Sequence, residues 1–301
     1  MTITKHLLDS ISYNGFYPFC RHLPLNLSYK LATAKGALDT VLDAEQIERI
    51  GSAIHRVFSD QISMDSARQL AKYHIRMLAR EEMDVFWLEK MQPNIIDRLI
   101  TLKGLDNYLS AKATGRPIIL YTAHFGRLIM PAIALGIKGY ETSALTAPIS
   151  EANAGSLARY RYLKYKINQM QAIMRGDFVS SGDSMRALYK ILQRGDTLIV
   201  LIDVAPVPGQ PYYEAPFLHG VARFPKGIVK LAIKTGAVLL PYFASEHEGQ
   251  LTGEFLPALN PSSQSEEAIL QSILEPVQEK IFQHPEQWWM WPWLNAFWTQ
   301  R

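Results

Sequence analysis

The chain of 301 residues has a single cysteine, Cys20, so it can form no internal disulfide and reads as a protein of a reducing compartment. It has no run of 18 consecutive apolar residues, so no segment reads as spanning a bilayer. Its opening, MTITKHLLDSISYNG, holds one lysine and no long apolar stretch, and reads as neither a signal peptide nor an anchor. Charge of one sign is not in excess either. With 31 Lys+Arg against 28 Asp+Glu the net charge is +3, far from the clustered basic surface of a nucleic-acid binder. That slight excess leaves two options open, contact with an anionic membrane or ordinary surface charge. Several motifs are missing as well: GxGxxG after a strand, GxxxxGK before Ser or Thr, HExxH, and GxSxG. The eight histidines show no metal-ligand spacing. Nucleotide-binding, zinc-protease and serine-hydrolase functions are therefore disfavoured, and neither a metal nor a cofactor is expected.

What is present is globular composition, 48% hydrophobic and 20% charged, enough for one large core or two modest ones. Residues 28–91 read as helices. In AEQIERIGSAIHRVF, Ile47, Ile50, Ile54, Val57 and Phe58 recur at three- and four-residue spacing and form one stripe to bury. The next helical run continues to about Met91, with Pro93 marking its end. The pattern changes at Gly115-Arg116-Pro117. PIILYTA is a short apolar run of strand formers, followed by His124-Phe125-Gly126 and the helical run LIMPAIALG. Further strands are expected at 142–147, 197–204, 237–245 and 251–258, the last two pairing, with helices at 152–169, 182–194, 226–235 and 265–283. Strands alternating with helices imply an α/β fold whose mostly parallel central sheet is flanked by helices. The expected division is an N-terminal helical region, 1–100, packed on an α/β domain, 101–301, as one continuous unit. The tail HPEQWWMWPWLNAFW carries Trp288, Trp289, Trp291, Trp293 and Trp298, divided between core packing and surface contact.

His124 stands where a buried strand ends and a helix begins. Ligands of open α/β sheets bind at the carboxyl ends of strands, and helix N-termini favour developing negative charge. A histidine there can act as a general base; it can equally be a hydrogen-bonded turn residue.

Four blocks carry a resemblance. They are GLDNYLSAKATGRPIILYTAHFGRLIMPAIALG, MRGDFVSSGDSMRALYKILQRGDTLIVLIDV, PFLHGVARFPKGIVKLAIKTGAVLLPYF and IFQHPEQWWMWPW. In this order and spacing they resemble the bacterial lysophospholipid and lipid A late acyltransferase family over about residues 100–292. The resemblance implies a glycerolipid-acyltransferase-like fold. It also implies transfer of an acyl group from a thioester, on acyl carrier protein or coenzyme A, to a hydroxyl or amine of a lipid or small-molecule acceptor. A cytoplasmic protein, peripheral on the inner membrane at most, is expected.

The family's signature is a His followed five positions on by Glu or Asp, the acid orienting the imidazole. Here His124 matches and the acidic position is Ile129. Three explanations stand open: another acid, with Asp203 the candidate, replaces it; the acceptor is an amine needing a weaker base; or the protein is an inactive relative that binds an acyl chain or acyl carrier protein. On the degenerate-site reading, Ile129→Glu is expected to raise turnover. The catalytic candidates are thus His124 and Asp203. Arg127, taken to lie inside the helix start, is a candidate for binding phosphate or phosphopantetheine, or a solvated surface residue. Arg175 matches an arginine of the second block and is a candidate for an anionic head group, or a surface salt bridge. Lys226 and Gly227 open a helix and are candidates to cradle an anion, or a plain capping turn. His124 is expected to line the main pocket.

Overall fold

The computed structural model describes residues 2–247, 249–262 and 264–300. The first third is helical: α1 (Thr2–Ile11), α2 (Tyr17–Cys20), α3 (Leu25–Leu42), α4 (Ala44–Phe58), α5 (Met64–Trp87) and α6 (Pro93–Leu99). The stripe foreseen on α4 is buried at all five positions, and Asp43 caps the helix by accepting the Gln46 N–H at 3.0 Å. Pro93 opens α6 rather than closing α5. At the first helical position its missing N–H costs nothing, because that N–H would have no partner.

Strands and helices then alternate: β1 (Ile100–Lys103), α7 (Leu105–Ala113), β2 (Ile118–Thr122), α8 (Met130–Ile137), β3 (Thr142–Thr146), α9 (Glu151–Ala154), α10 (Leu157–Met174), β4 (Arg175–Ser180), α11 (Arg186–Gln193) and β5 (Thr197–Leu201). A hairpin of β6 (Tyr212–Phe217) and β7 (Gly220–Pro225) follows, then α12 (Gly227–Thr235), β8 (Val238–His247), β9 (Gln250–Phe255), α13 (Glu266–Gln283) and β10 (Trp298–Gln300). The seven-stranded sheet has the order β1-β9-β8-β2-β5-β3-β4. Strands β8, β2, β5, β3 and β4 run parallel, and β9 returns antiparallel to β8 as expected. A second sheet, β10-β7-β6, is antiparallel.

Central strand β2 shows why its sequence is apolar throughout. Ile119 and Tyr121 enter a core shared with α4, α5, α13 and the aromatic tail, whereas Ile118 and Leu120 enter a second core with α8 and α10. A period of two thus feeds both faces of a covered sheet. Each such fully buried aliphatic side chain contributes about 1.5–3 kcal/mol. The first core also joins the N-terminal helices to the sheet, and the expected boundary at residue 100 falls on the first residue of β1. Among the described residues no helix is long and apolar enough to cross a membrane.

His74 fastens the C-terminal tail to α5. It is 1% exposed and its Nδ1–H donates to the Glu286 carbonyl at 3.0 Å. Burial pushes its pKa down to about 4, with the carbonyl bond opposing the shift. The unfolded chain therefore takes up this proton first as pH falls below 6.5. Stability that is fully present above that value is lost on acidification, by roughly 3 kcal/mol at pH 4. Urea unfolding of the wild type and His74→Gln at pH 7 and pH 4 checks this. The variant should show a pH dependence weaker by about that amount; identical dependences would remove His74 as the cause.

Candidate active site

His124 follows β2 by two residues, at the carboxyl edge of the sheet. The turn it occupies is held by the C-terminal tail. Phe125 bridges Trp288 in antiparallel fashion, the Gly126 N–H donates to the Gln287 carbonyl at 2.8 Å, and the Trp289 N–H donates to the His124 carbonyl at 2.8 Å. The Trp289 indole N–H adds a bond to the Gly126 carbonyl at 2.9 Å. Gly126 has φ +59°, and a Cβ there would lie 1.7 Å from the Ala244 carbonyl oxygen, so only glycine fits this approach.

Asp203 lies two residues past the end of β5, the neighbour of β2. Its carboxylate is fully buried and meets only N–H donors. The His124 imidazole Nδ1 stands 2.8 Å from Oδ1, the His124 backbone N–H points at both oxygens at 3.1 and 2.9 Å, and the Trp288 indole N–H reaches Oδ2 at 2.8 Å. With Nδ1–H donated to the acid, Nε2 carries the free lone pair. Among the described residues nothing bonds to Nε2, and 23% of the His124 side-chain surface is open, beside the Trp289 ring at 6.1 Å between centroids. The pair can therefore take a proton at Nε2 and stabilise the imidazolium that results.

Four expectations need correction. The helix after the turn begins at Met130, so Arg127 precedes it. Arg127 is also 3% exposed and committed: its Nε donates to Asp84 at 2.7 Å, Nη2 holds the second oxygen, and the guanidinium stacks over Tyr29. Burial alone would lower the guanidinium's pKa; the Asp84 carboxylate outweighs burial and holds the group above its ordinary value. A buried bidentate pair of this kind ties α5 to the turn and leaves no donor fork for a phosphate. Arg175 sits at the other end of the sheet. It is level with Thr142, Thr197 and Ile118, six residues short of His124, or roughly 20 Å along the strand direction. There it donates to the Gly136 carbonyl and faces Glu141 at 4.0 Å.

Third, His124 lines neither of two surface concavities. One, of about 570 Å³, runs along α13 beside Glu275 and Phe282; the other, of about 300 Å³, lies beside Arg175 and Arg194. Fourth, Ile129 is the N-cap of α8, 1% exposed, in the apolar core with Leu120 and Ile133. Since Asp203 already occupies Nδ1, Ile129→Glu is now expected to add no turnover and to lower stability by about 2–5 kcal/mol, through lost packing and a buried charge. Chemical denaturation and a turnover assay check both halves; a gain in rate would restore position 129 to the site.

Lys226 and Gly227 do open α12. The Lys226 ammonium lies over the Tyr213 ring at 4.4 Å. Because α12 runs back down to the start of β8, its N-terminus faces the carboxyl edge of the sheet, the edge that bears His124. Of the tail tryptophans, Trp288, Trp291 and Trp298 are buried, Trp289 is half-buried and Trp293 is exposed. Asp84 and the Trp288–Asp203 bond were not anticipated. The signal for Asp84 was an acidic residue inside the buried stripe of α5; that for Trp288 was the tail block itself.

The fold is thus a mostly parallel covered sheet with a histidine–carboxylate pair at its carboxyl edge. The model of the bacterial lipid A biosynthesis acyltransferase family matches residues 2–298, and the chain belongs to that family. It is an acyltransferase. No curated protein matches the chain. Among solved structures it is similar to the 1-acyl-sn-glycerophosphate (LPA) acyltransferase PlsC from Thermotoga maritima, with 16% identity, a TM-score of 0.39, and coverage of 83% of this chain and 96% of that one.

Proposed function

We propose that the protein moves an acyl group from a thioester, on acyl carrier protein or coenzyme A, to a hydroxyl or amine of a lipid or small-molecule acceptor, with His124 as general base. The observation that carries this reading is the 2.8 Å bond between His124 Nδ1 and the buried Asp203 carboxylate, which leaves Nε2 free at the strand edge. Nε2 takes the acceptor's proton as its oxygen or nitrogen attacks the thioester carbonyl. The tetrahedral intermediate then expels the thiolate, which recovers that proton from the imidazolium. The products are an ester or amide and a free carrier thiol. Lys226 and the free N–H groups opening α12 are suited to an anionic part of a substrate.

A lipid acceptor fits the family, whose members are described as acting in lipid A biosynthesis. Leu7, Leu8, Ile11 and Phe19 are exposed on the N-terminal helices, as is Trp293 on the tail, and they support peripheral contact with a lipid surface, which we place at the cytoplasmic face of the inner membrane. The rival reading, an inactive relative that binds an acyl chain or acyl carrier protein, rested on Ile129; with Asp203 at the imidazole that argument no longer holds.

Mass spectrometry of acyl carrier protein and coenzyme A thioesters incubated with the purified protein and a cell extract tests the proposal. Loss of thioester with appearance of an acylated acceptor is expected. Intact thioesters throughout, with acyl-chain or carrier binding, would replace it with the binding-protein reading.

A further inference from the structure

We propose that Trp288 is a positioning residue of the His124–Asp203 pair, setting the plane of the carboxylate through its indole N–H; this rests on the acyl-transfer reading above. The argument begins with the donors. Oδ1 of Asp203 takes the imidazole Nδ1–H and a share of the His124 backbone N–H. Oδ2 has the other share of that forked bond, and its one undivided donor is the Trp288 indole at 2.8 Å. Remove that N–H and Oδ2 keeps half of a bifurcated bond in a site with no exposed surface for Asp203. The carboxylate is then free to rotate about its Cβ–Cγ bond, and the imidazole loses the fixed acceptor that sets its tautomer and ring orientation.

Trp288 is suited to this task. It is fully buried and packed edge-on against Trp291 at 4.7 Å and against Phe217 at 6.1 Å, contacts that hold the indole in this orientation. Its backbone also belongs to the segment paired with residues 124–126. One rigid segment therefore fixes both halves of the dyad: the histidine through the main chain of its turn, and the acid through the indole. The pair becomes competent only when the C-terminal tail has docked, 85 residues after Asp203 in the sequence.

Trp291 supplies an internal control. It is as deeply buried in the same tail, and its indole N–H is bonded equally well, but to the Pro285 carbonyl at 2.6 Å. Trp288→Phe should lower kcat roughly ten- to hundredfold, the effect of losing a hydrogen bond to a charged group, with KM within about twofold. Trp291→Phe should leave kcat within about threefold. Where Trp288→Phe fails to fold, benzothienylalanine at position 288 replaces the N–H by sulfur at nearly constant shape and should show the same loss. The second readout does not need activity. In protein carrying 15N-labelled histidine, the His124 Nδ1–H resonance should move or broaden in both position-288 variants and stay in place in Trp291→Phe. Equal losses at 288 and 291, or an unmoved His124 resonance, overturns the positioning role. A wild type inert towards every thioester, with the resonance still responding to Trp288, would sink the acyl-transfer reading while leaving the structural coupling in place.

Discussion

Alanine at position 124 lowers kcat/KM on the best thioester donor by about three to four orders of magnitude and leaves the fold standing. The size follows from what is removed. Positioned general-base catalysis contributes about 10²–10⁴, and losing the base also strips the site of the group that reprotonates the departing thiol. The fold survives because the imidazole is partly exposed and the backbone N–H of residue 124, which the substitution keeps, still reaches both oxygens of Asp203. Stability should change by no more than about 1–2 kcal/mol, the cost of one donor lost from a buried carboxylate that retains two others. Initial rates together with thermal unfolding give both numbers. A folded His124→Ala protein of near-normal activity would take His124 out of the mechanism altogether.

Asparagine at position 203 should be almost as damaging to turnover, about 10³–10⁴-fold, and worse for stability. The carboxylate is surrounded by donors: the His124 N–H, the His124 Nδ1–H and the Trp288 indole. An asparagine offers one oxygen and one NH₂ group, so one donor must face another. Either Trp288 loses its acceptor or the imidazole flips to the tautomer with its proton on Nε2, which cannot act as a base. A buried unsatisfied donor costs about 1–3 kcal/mol, visible as a lower urea midpoint. Combining Asp203→Asn with His124→Ala should cost little more activity than His124→Ala alone, because the acid acts only through the imidazole. Fully additive losses would mean that Asp203 touches the reaction by some other route.

Much of the scaffold was legible one segment at a time. The α4 stripe, the all-apolar β2 and the β8–β9 pairing follow from periodicities that span a few residues, and side-chain burial repeats at the same interval as the backbone geometry. Helix α13 was placed to within one residue of its observed start, Glu266. Where the signal is weak locally, the reading fell short. Edge strand β1 is four residues long, and β4 buries only Val179 among exposed and half-buried positions. Strand β6 alternates plainly but carries Pro216, and its partner β7 takes its other neighbour, β10, from beyond four intervening elements, α12, β8, β9 and α13.

The candidate site residues divide along the same line. By itself the sequence determined that a histidine stands at the end of a buried strand, because strand, turn and glycine are contiguous, and that its neighbour at 129 is hydrocarbon. It offered Asp203 as one of several answers to that gap. Tertiary structure alone brought that acid to the imidazole, by laying β5 beside β2 so that residues 79 apart meet at 2.8 Å. It likewise decided that Arg127 serves Asp84 and not a substrate, that Arg175 sits at the far edge of the sheet, and that the tryptophan tail closes over the turn. The physical reason is common to all four. Burial pattern is a property of consecutive residues, whereas a side chain's partner is set by which strands become neighbours, and that order emerges only when the whole core packs at once.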